Sequence, residues 1–316
     1  MTTDLSTLLA VLAPVAFLLG AGMFARWRGV LEREAEASLL RLVVNILFPC
    51  LVLNSVLGNP ALRQMNNIVV PPLIGFGTML VGIAAGYYGG RLVGLRRGTG
   101  LRTFAFAVGI YNYGYIPIPI VQELFGGGTL GVLFVHNLGC ELAVWTVGVI
   151  VVAGASWRES WRRAINPPTV AIVLAVALNA AGLANDLPKW ALEGVRLLGI
   201  CAVPLGLVIV GATMFDYLRE PRQLLDGRVL STSILLRLAL LPWVILAAAR
   251  WLPLSSELKH VMIVEAGMPA GMVPLLIARH YGGQPLTAAQ VILGTTIVGL
   301  LVIPWWIRFG AMWVGF

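Results

Sequence analysis

Apolar segments alternate with short polar connections along the whole chain of 316 residues. A helix needs about 20 apolar residues to cross the hydrocarbon layer of a bilayer, and most of these segments have that length. Their number and spacing predict ten membrane-spanning helices. The predicted spans lie near 5–25, 38–57, 68–90, 104–125, 129–153, 167–183, 195–214, 229–250, 260–281 and 287–309.

Composition agrees with an all-α membrane protein. Hydrophobic residues make up 59% of the chain and charged residues 11%, and the mean hydropathy is +0.88. Soluble domains carry about 25% charged residues. These values exclude a disordered chain, a coiled coil and an ordinary soluble enzyme, and they make the lipid bilayer the expected environment.

The net charge of +8 reflects how arginine and lysine are distributed over the connections. Fifteen of the 22 basic residues fall on one set of alternate connections and six on the other, while Arg237 lies inside a span. The positive-inside rule assigns the richer set to the cytoplasm. Both termini are therefore expected outside, in a bacterial inner membrane, and the charge does not indicate a nucleic-acid partner.

An internal repeat is visible when the chain is shifted by 155 residues. Pro49 then meets Pro204, Pro119 meets Pro274, and Gly139 meets Gly294. The shift predicts two halves, 1–155 and 156–316, with five spans each. An odd number of spans places the halves in opposite orientations, which is typical of secondary transporters. The alternative is a duplication with a structural role only.

Two predicted spans are interrupted at corresponding positions. The fourth contains YNYGYIPIP at 111–119 and the ninth contains EAGMPAGMVP at 265–274. Proline removes a helix hydrogen bond, and unwound backbone at membrane depth is found buried in protein or lining a wet cavity. Matched interruptions indicate a midplane binding site; proline kinks without a ligand are the alternative. The residues expected to break helices are Pro117, Pro119, Pro274, Pro49 and Pro204.

Asn112 is the strongest single candidate for ligand binding, because an uncharged amide can donate to a carboxylate and accept from a backbone N–H. The alternative is that it caps a half-helix. Freed backbone around the two interruptions would complete the site, with Asn45 facing it from the second span. The expected substrate-binding residues are Asn112, Tyr113, Gly114, Gly267, Met268, Pro269, Arg237 and Asn45.

Three ionisable residues within spans are candidates for charge coupling. Arg237 either binds a substrate carboxylate, pairs with a coupling carboxylate, or extends towards the cytoplasmic surface. Glu141 shares a helix face with Asn137 and is a proton carrier, a cation ligand, a counter-ion for Arg237 or a structural clamp. Glu265 is a proton carrier, a partner of Arg237, a cation ligand or an interfacial carboxylate. The expected ion-coupling residues are Glu265, Glu141 and Asn137.

The order of these motifs resembles the auxin efflux carrier family over essentially the whole chain. The resemblance is carried by the Asn-x-Gly-x-x-x-x-Pro pattern from Asn112, the Pro49 span, Asn166-Pro167, and Met268-Pro269 followed by the Ala-Arg-His-Tyr-Gly sequence at 278–282. It implies the bile acid sodium symporter fold: spans one, two, six and seven form a scaffold. Spans three to five and eight to ten form a moving core in which spans four and nine cross.

The resemblance also implies carriers of organic anions, such as auxin in plants and malonate, malate or lactate in bacteria, that work as homodimers. The segment 265–268 is similar to the sodium-binding stretch of the bile acid symporters, which continues with Gln-Asn. Here Pro269 and Ala270 follow instead, and they offer no side-chain oxygen. A proton is therefore the expected coupling ion, with sodium as the alternative.

Other functional classes receive less support. The four aspartates lie in loops or at span ends, and no motif of a hydrolase or metalloprotease is present, so an enzyme is not expected. Asn59-Pro60-Ala61 is a single copy of a motif that aquaporin-like channels carry in pairs. The expectation is an elevator-type secondary transporter of small organic anions, without cofactor or metal. A sodium-coupled symporter or a channel is the alternative.

Overall fold

The computed structural model describes residues 4–153, 162, 164–219 and 226–316. Within these residues the chain is helical and contains no strand, apart from one isolated bridge between Tyr111 and Ala270. The first five helices are α1 (Leu5–Trp27), α2 (Arg33–Val56), α3 (Asn66–Leu92), α4 (Leu101–Gly109) and α5 (Pro117–Val152). The others are α6 (Pro167–Ala180), α7 (Lys189–Leu218), α8 (Gly227–Trp251), α9 (Ser256–Ala266), α10 (Val273–His280) and α11 (Pro285–Val314).

Seven of these helices are long and apolar enough to cross a membrane: α1, α2, α3, α5, α7, α8 and α11. The described helix α6 is apolar but shorter. The protein is therefore an all-helical integral membrane protein, as the apolar pattern predicts. The predicted boundary between the halves, at residues 155 and 156, lies outside the described residues.

Helix α5 is really two helices joined at a sharp turn. Its 36 residues would extend over roughly 50 Å if straight, whereas the hydrocarbon layer is about 30 Å thick. Gly126, with φ 78° and ψ −177°, lies outside the helical region and redirects the chain. The loop expected between the fourth and fifth spans is thus replaced by a glycine turn.

Two of the prolines expected to break helices only distort them. Pro49 lies within α2, where the chain forms a wider π-turn at Val43–Leu47 and then continues as a helix. Pro204 lies within α7, which has one irregular residue, Cys201. A proline lacks an N–H and crowds the carbonyl four residues before it, so one displaced turn is sufficient. At these two positions the interruption is one irregular turn or residue just before the proline, and the backbone is not unwound over several residues as it is in the other two interruptions.

The helices pack closely where glycine permits it. The main chains of α1 and α7 touch so tightly that a Cβ on Gly22 would lie 2.0 Å from the Val208 carbonyl oxygen. Helices α3 and α4 approach in the same way, since a Cβ on Gly82 would lie 2.8 Å from Gly109 Cα. Helix α2 packs against α7 and against α6, and α5, α8, α9 and α11 pack around the contact between α3 and α4.

Candidate functional site

Two stretches of non-helical backbone meet inside the bundle. The first break, residues 110–116, separates α4 from α5, and the second break, residues 267–272, separates α9 from α10. The Asn112 N–H donates to the Pro269 carbonyl at 2.7 Å, and the Gly271 N–H donates to the Ile110 carbonyl at 2.8 Å. The two broken helices are thus joined by an antiparallel pair of main-chain hydrogen bonds.

Small residues allow this approach. A Cβ on Gly271 would lie only 2.9 Å from the Tyr111 carbonyl oxygen, which is inside van der Waals contact. Ala270, beside it, donates its N–H to the Thr295 hydroxyl of α11 at 3.1 Å. Every polar main-chain group at this depth needs a partner, because no water competes there. Residues outside the breaks therefore help to hold them.

Prolines begin the second half of each broken helix. Pro117 is the first residue of α5, and Pro274 is the second residue of α10. A proline has no N–H to donate. In the first turn this costs nothing, because the N–H groups there have no acceptor within the helix. Pro119 also lies in that first turn of α5. These prolines mark where the helices resume after each break.

Asn112 caps the resuming helix and still has a free donor. Its Oδ1 accepts from the Ile116 N–H at 3.3 Å, which satisfies one of the orphan donors of a helix start. Its Nδ2 donates to none of the residues that the structure describes. The side chain is 7% exposed. The capping role and the availability for ligand binding, treated as alternatives in the sequence, therefore coexist.

Asn137 and Glu141 of α5 hold the first break from one side. Asn137 Nδ2 donates to the Tyr113 carbonyl at 2.7 Å. Tyr113 donates its hydroxyl to Glu141 Oε1 at 2.8 Å. Trp145 and Asn166 donate to Glu141 Oε2 at 2.7 and 3.1 Å. With three neutral donors, Glu141 has the contacts of the structural clamp, one of the alternatives in the sequence, and none of these contacts is with Arg237.

Arg237 holds the second break from the other side. It is 1% exposed, so it does not extend to the surface. Its Nε donates to the Met268 carbonyl at 3.0 Å and its Nη2 to the Glu265 carbonyl at 3.5 Å. The guanidinium carbon lies 4.9 Å from the centre of the Tyr111 ring. Arg237 therefore contacts both breaks at once.

Glu265 ends α9 just before the second break. It is 1% exposed, and neither carboxylate oxygen has a hydrogen-bond partner within the described part of the chain. Arg237 contacts the main-chain carbonyl of Glu265, and no ion pair joins the two side chains among the described residues. The carboxyl group is therefore enclosed by protein and not exposed on the surface. A carboxyl group in such surroundings is costly unless it carries a proton.

The remaining predicted residues are placed less centrally. Asn45 is exposed and donates to the Arg41 carbonyl of its own helix at 2.7 Å, so the expectation that it faces Asn112 is wrong. Gly114 lies beside the Phe48 ring of α2. Gly267 follows α9 and packs near Trp306 of α11.

Several polar residues at the crossing were not singled out from the sequence. Tyr111 contacts the Thr78 hydroxyl at 3.0 Å and the Cys140 sulfur at 3.6 Å. Thr295 supports the second break. Cys140 and Thr295 are related by the shift of 155 residues. This correspondence is the sequence signal that could have placed both residues near the crossing. Within the described residues, no group of three or more His, Cys, Asp or Glu side chains is arranged to hold a metal ion.

A cavity of about 650 Å³ opens between α2 and α7 on one side and α10 and α11 on the other. We call it the basic vestibule; its charged lining residues are Arg33, Arg41, Arg279, His280, Glu36 and Asp216. Arg33 pairs with Asp216 at 3.3 Å, and Arg279 donates to the Tyr217 hydroxyl at 2.7 Å. By the distribution of basic residues, this is the predicted cytoplasmic face.

Long apolar helices, with irregular backbone buried where two of them are interrupted, define the class: a helical, polytopic membrane protein. The comparisons identify the family. The chain belongs to the Membrane transport protein family, whose model matches residues 7–159 and 155–307.

Similar proteins are transporters of archaea and plants. The chain is 27% identical over 309 residues to a protein of Methanothermobacter thermautotrophicus described as an uncharacterized transporter, covering 95% of this chain and 96% of the relative. A second uncharacterized transporter, from Methanocaldococcus jannaschii, is 24% identical over 301 residues, 92% of this chain and 95% of the relative. A probable auxin efflux carrier component 1b of Oryza sativa subsp. japonica is 27% identical over 158 residues, 48% of this chain and 27% of the plant protein.

These matches confirm the resemblance to auxin efflux carriers that the sequence motifs indicate. They also confirm the prediction of a transporter rather than an enzyme. The protein is an integral membrane transporter.

Proposed function

We propose that this protein is a secondary active transporter that carries a small organic anion across a bacterial inner membrane by alternating access. The observation that carries the proposal is the crossing of the two breaks, joined through Asn112 and Pro269. Irregular backbone at membrane depth offers polar groups that continuous helices cannot present.

The ten-span, inverted arrangement belongs to this proposal. The seven long helices include α5, which the Gly126 turn divides, and the short helix α6 and the broken pair α9–α10 add further passes. With α4 completing the broken helix that precedes the turn, each half has five passes. The breaks begin after Gly109 and Ala266 and end before Pro117 and Val273, close to the shift of 155 residues.

The crossing has the polarity that an anion requires. Helices α5 and α10 both begin there, and the N-terminal end of a helix carries partial positive charge. Asn112 adds a free Nδ2 donor. Arg237 adds a buried positive charge. A carboxylate of modest size would satisfy these groups, whereas a metal cation would be repelled.

Alternating access is supported by the basic vestibule and by the contacts between helix groups. The vestibule separates α2 and α7 from α10 and α11 on the predicted cytoplasmic side. Nearer the crossing, α2 touches the first break through an aromatic contact, with the ring centres of Phe48 and Tyr115 6.1 Å apart. Apolar surfaces of this kind can slide, as an elevator-type motion requires. Glu265, buried without a hydrogen-bond partner, is the proposed proton carrier.

The test is electrical and uses purified protein in proteoliposomes on a solid-supported membrane. Jumps of malonate, malate, lactate and indole acetate are applied at two pH values, with and without sodium. A transient, saturable current for one anion is expected, larger when a proton gradient drives it and unchanged by sodium. A sustained current that does not saturate would favour a channel and contradict the proposal.

Asn112→Asp provides the residue-level test. Aspartate keeps the oxygen that caps Ile116 but replaces the free donor with a negative charge. The saturable current should fall at least about tenfold, because a hydrogen bond to a charged group contributes roughly 1.5–3 kcal/mol. Asn179→Asp is the matched control, since Asn179 bonds the main chain at Val56 and Gly58, away from the crossing. Equal currents in the two variants would move the site elsewhere.

A further inference from the structure

Arg237 is a buried cation that has no carboxylate partner. It is 1% exposed, and no carboxylate oxygen of Asp or Glu lies within 4 Å of its guanidinium nitrogens in the described ranges of the chain. A charge inside a membrane protein costs about 2.5–3.5 kcal/mol or more unless something compensates it. The compensation here comes from the main chain of the second break.

The groups that contact Arg237 are those left over where α9 ends. The last carbonyls of a helix have no internal donor and carry the negative end of its dipole. Arg237 donates at 3.0 Å to the carbonyl of Met268, two residues past the end of α9, and at 3.5 Å to the carbonyl of Glu265 in its last turn, which also accepts from the Met268 N–H. In transporters with broken helices, carbonyls of this kind coordinate a sodium ion or a proton. The guanidinium therefore lies where a free cation would bind.

The local structure of α8 fixes this position. Arg237 lies in a π-turn, Leu235–Leu240, which precedes Pro242. Proline frees the carbonyl four residues earlier, and Trp306 of α11 donates its indole N–H to that carbonyl, Leu238, at 2.7 Å. The Tyr111 ring, 4.9 Å from the guanidinium carbon, closes the other side. The arginine side chain thus contacts both breaks, and Trp306 of α11 holds the helix turn that carries it.

We propose that Arg237 is a tethered cation: its guanidinium permanently fills the carbonyl site at the end of α9, so the second break needs no free metal ion. This inference rests on the proposed function only in treating the crossing as the transport site. It specifies that the positive charge at the crossing belongs to the protein and travels with it, and that sodium has no site there.

The experiment asks whether an added cation restores the stability of a variant that lacks Arg237. Stability is measured as the melting temperature of the purified full-length protein in detergent. In the Arg237→Ala variant the Met268 carbonyl loses the Arg237 donor and the Glu265 carbonyl keeps only the Met268 N–H, and the melting temperature should fall by roughly 5 °C. Millimolar guanidinium chloride or sodium chloride, compared with choline chloride at equal ionic strength, should restore part of this loss saturably. The wild-type protein should melt at the same temperature in sodium and choline.

Arg250→Ala is the matched control. Arg250 lies on the same helix, donates to the Trp313 carbonyl and has its guanidinium carbon 5.0 Å from the Trp313 ring, but its side chain is exposed. Its removal leaves no enclosed cation site, so guanidinium should not stabilise the variant. Absence of rescue in Arg237→Ala, or equal rescue in both variants, would overturn the proposal. So would a saturable stabilisation of the wild type by sodium.

Two further variants decide the question if Arg237→Ala cannot be purified folded. Arg237→Lys retains a cation and should be recovered folded, with a melting temperature insensitive to sodium. Arg237→Met retains the length without the charge and should be recovered poorly. Any other pattern contradicts a cation site. Because melting temperatures do not depend on transport, a missing malate or malonate current would contradict the proposed function and leave this result intact.

Discussion

The first break, 110–116, contains three tyrosines and an asparagine, whereas the second, 267–272, contains only glycine, methionine, proline and alanine. The first makes hydrogen bonds with its own side chains, through Asn112 and Tyr113. The second depends on side chains from other helices, Arg237 of α8 and Thr295 of α11. The first break thus combines its own polar side chains with Asn137 and Glu141 of α5, whereas the second contributes no polar side chain of its own.

The largest effect is expected from adding one methyl group to the second break. In Gly271→Ala the new Cβ would lie 2.9 Å from the Tyr111 carbonyl oxygen, which forces the two breaks apart. Overpacking of this kind costs about 1–3 kcal/mol, and the main-chain bonds are weakened too. The melting temperature and the anion current should both fall.

Gly114→Ala is the matched change in the first break, and it should be tolerated. The nearest atoms to a Cβ there belong to the Phe48 ring at 3.9 Å, an ordinary contact. The melting temperatures of Gly271→Ala and Gly114→Ala are compared. The comparison tests whether the main chains of the two breaks approach each other at Gly271. Equal destabilisation would contradict the asymmetry between the breaks.

A smaller loss is expected from Thr295→Val, which removes the acceptor for the Ala270 N–H. A buried donor left without a partner costs about 1–3 kcal/mol. Thr295→Ser keeps the hydroxyl and should behave nearly like the wild type. Thermal unfolding compares the two, and a valine variant as stable as the serine variant would show that the second break does not need α11.

The smallest effects should come from the tyrosine hydroxyls. Tyr113→Phe removes one of three donors to Glu141 and should cost about 1 kcal/mol. Tyr111→Phe loses only the hydroxyl contacts to Thr78 and Cys140 and keeps the ring over Arg237. Its melting temperature should change less than that of Tyr113→Phe. The reverse order would mean that the contacts of Tyr111 outweigh the clamp at Glu141.

Local features of the fold could be predicted from the sequence. Apolar length predicts membrane helices, because a span must cover a fixed thickness. The two breaks were located correctly, since glycine and proline act on the backbone at their own positions. Pro49 and Pro204 show the limit of this argument. A π-turn or a single irregular residue absorbs a proline when the flanking helix is well packed.

The partners across the site could not be predicted in this way. Arg237 lies 31 residues before Met268, and its choice between the surface, a carboxylate and a carbonyl depends on how α8 packs. Asn45 was expected to face Asn112, yet it bonds its own helix. For Glu141 the sequence left four roles open, a structural clamp among them, and only the packing shows that it receives three hydrogen bonds. Each outcome is set by tertiary contacts that a periodic pattern does not contain.

The bridge between Tyr111 and Ala270 has a mechanical consequence. Its two hydrogen bonds join buried residues, and a buried main-chain group that loses its partner costs free energy. Shearing one broken helix past the other would therefore cost far more than moving the two together. Any motion that opens the crossing first to one side and then to the other must carry both as a single rigid body. The friction that sets its speed would then arise at the periphery, where Tyr115 presses on Gly206 of α7.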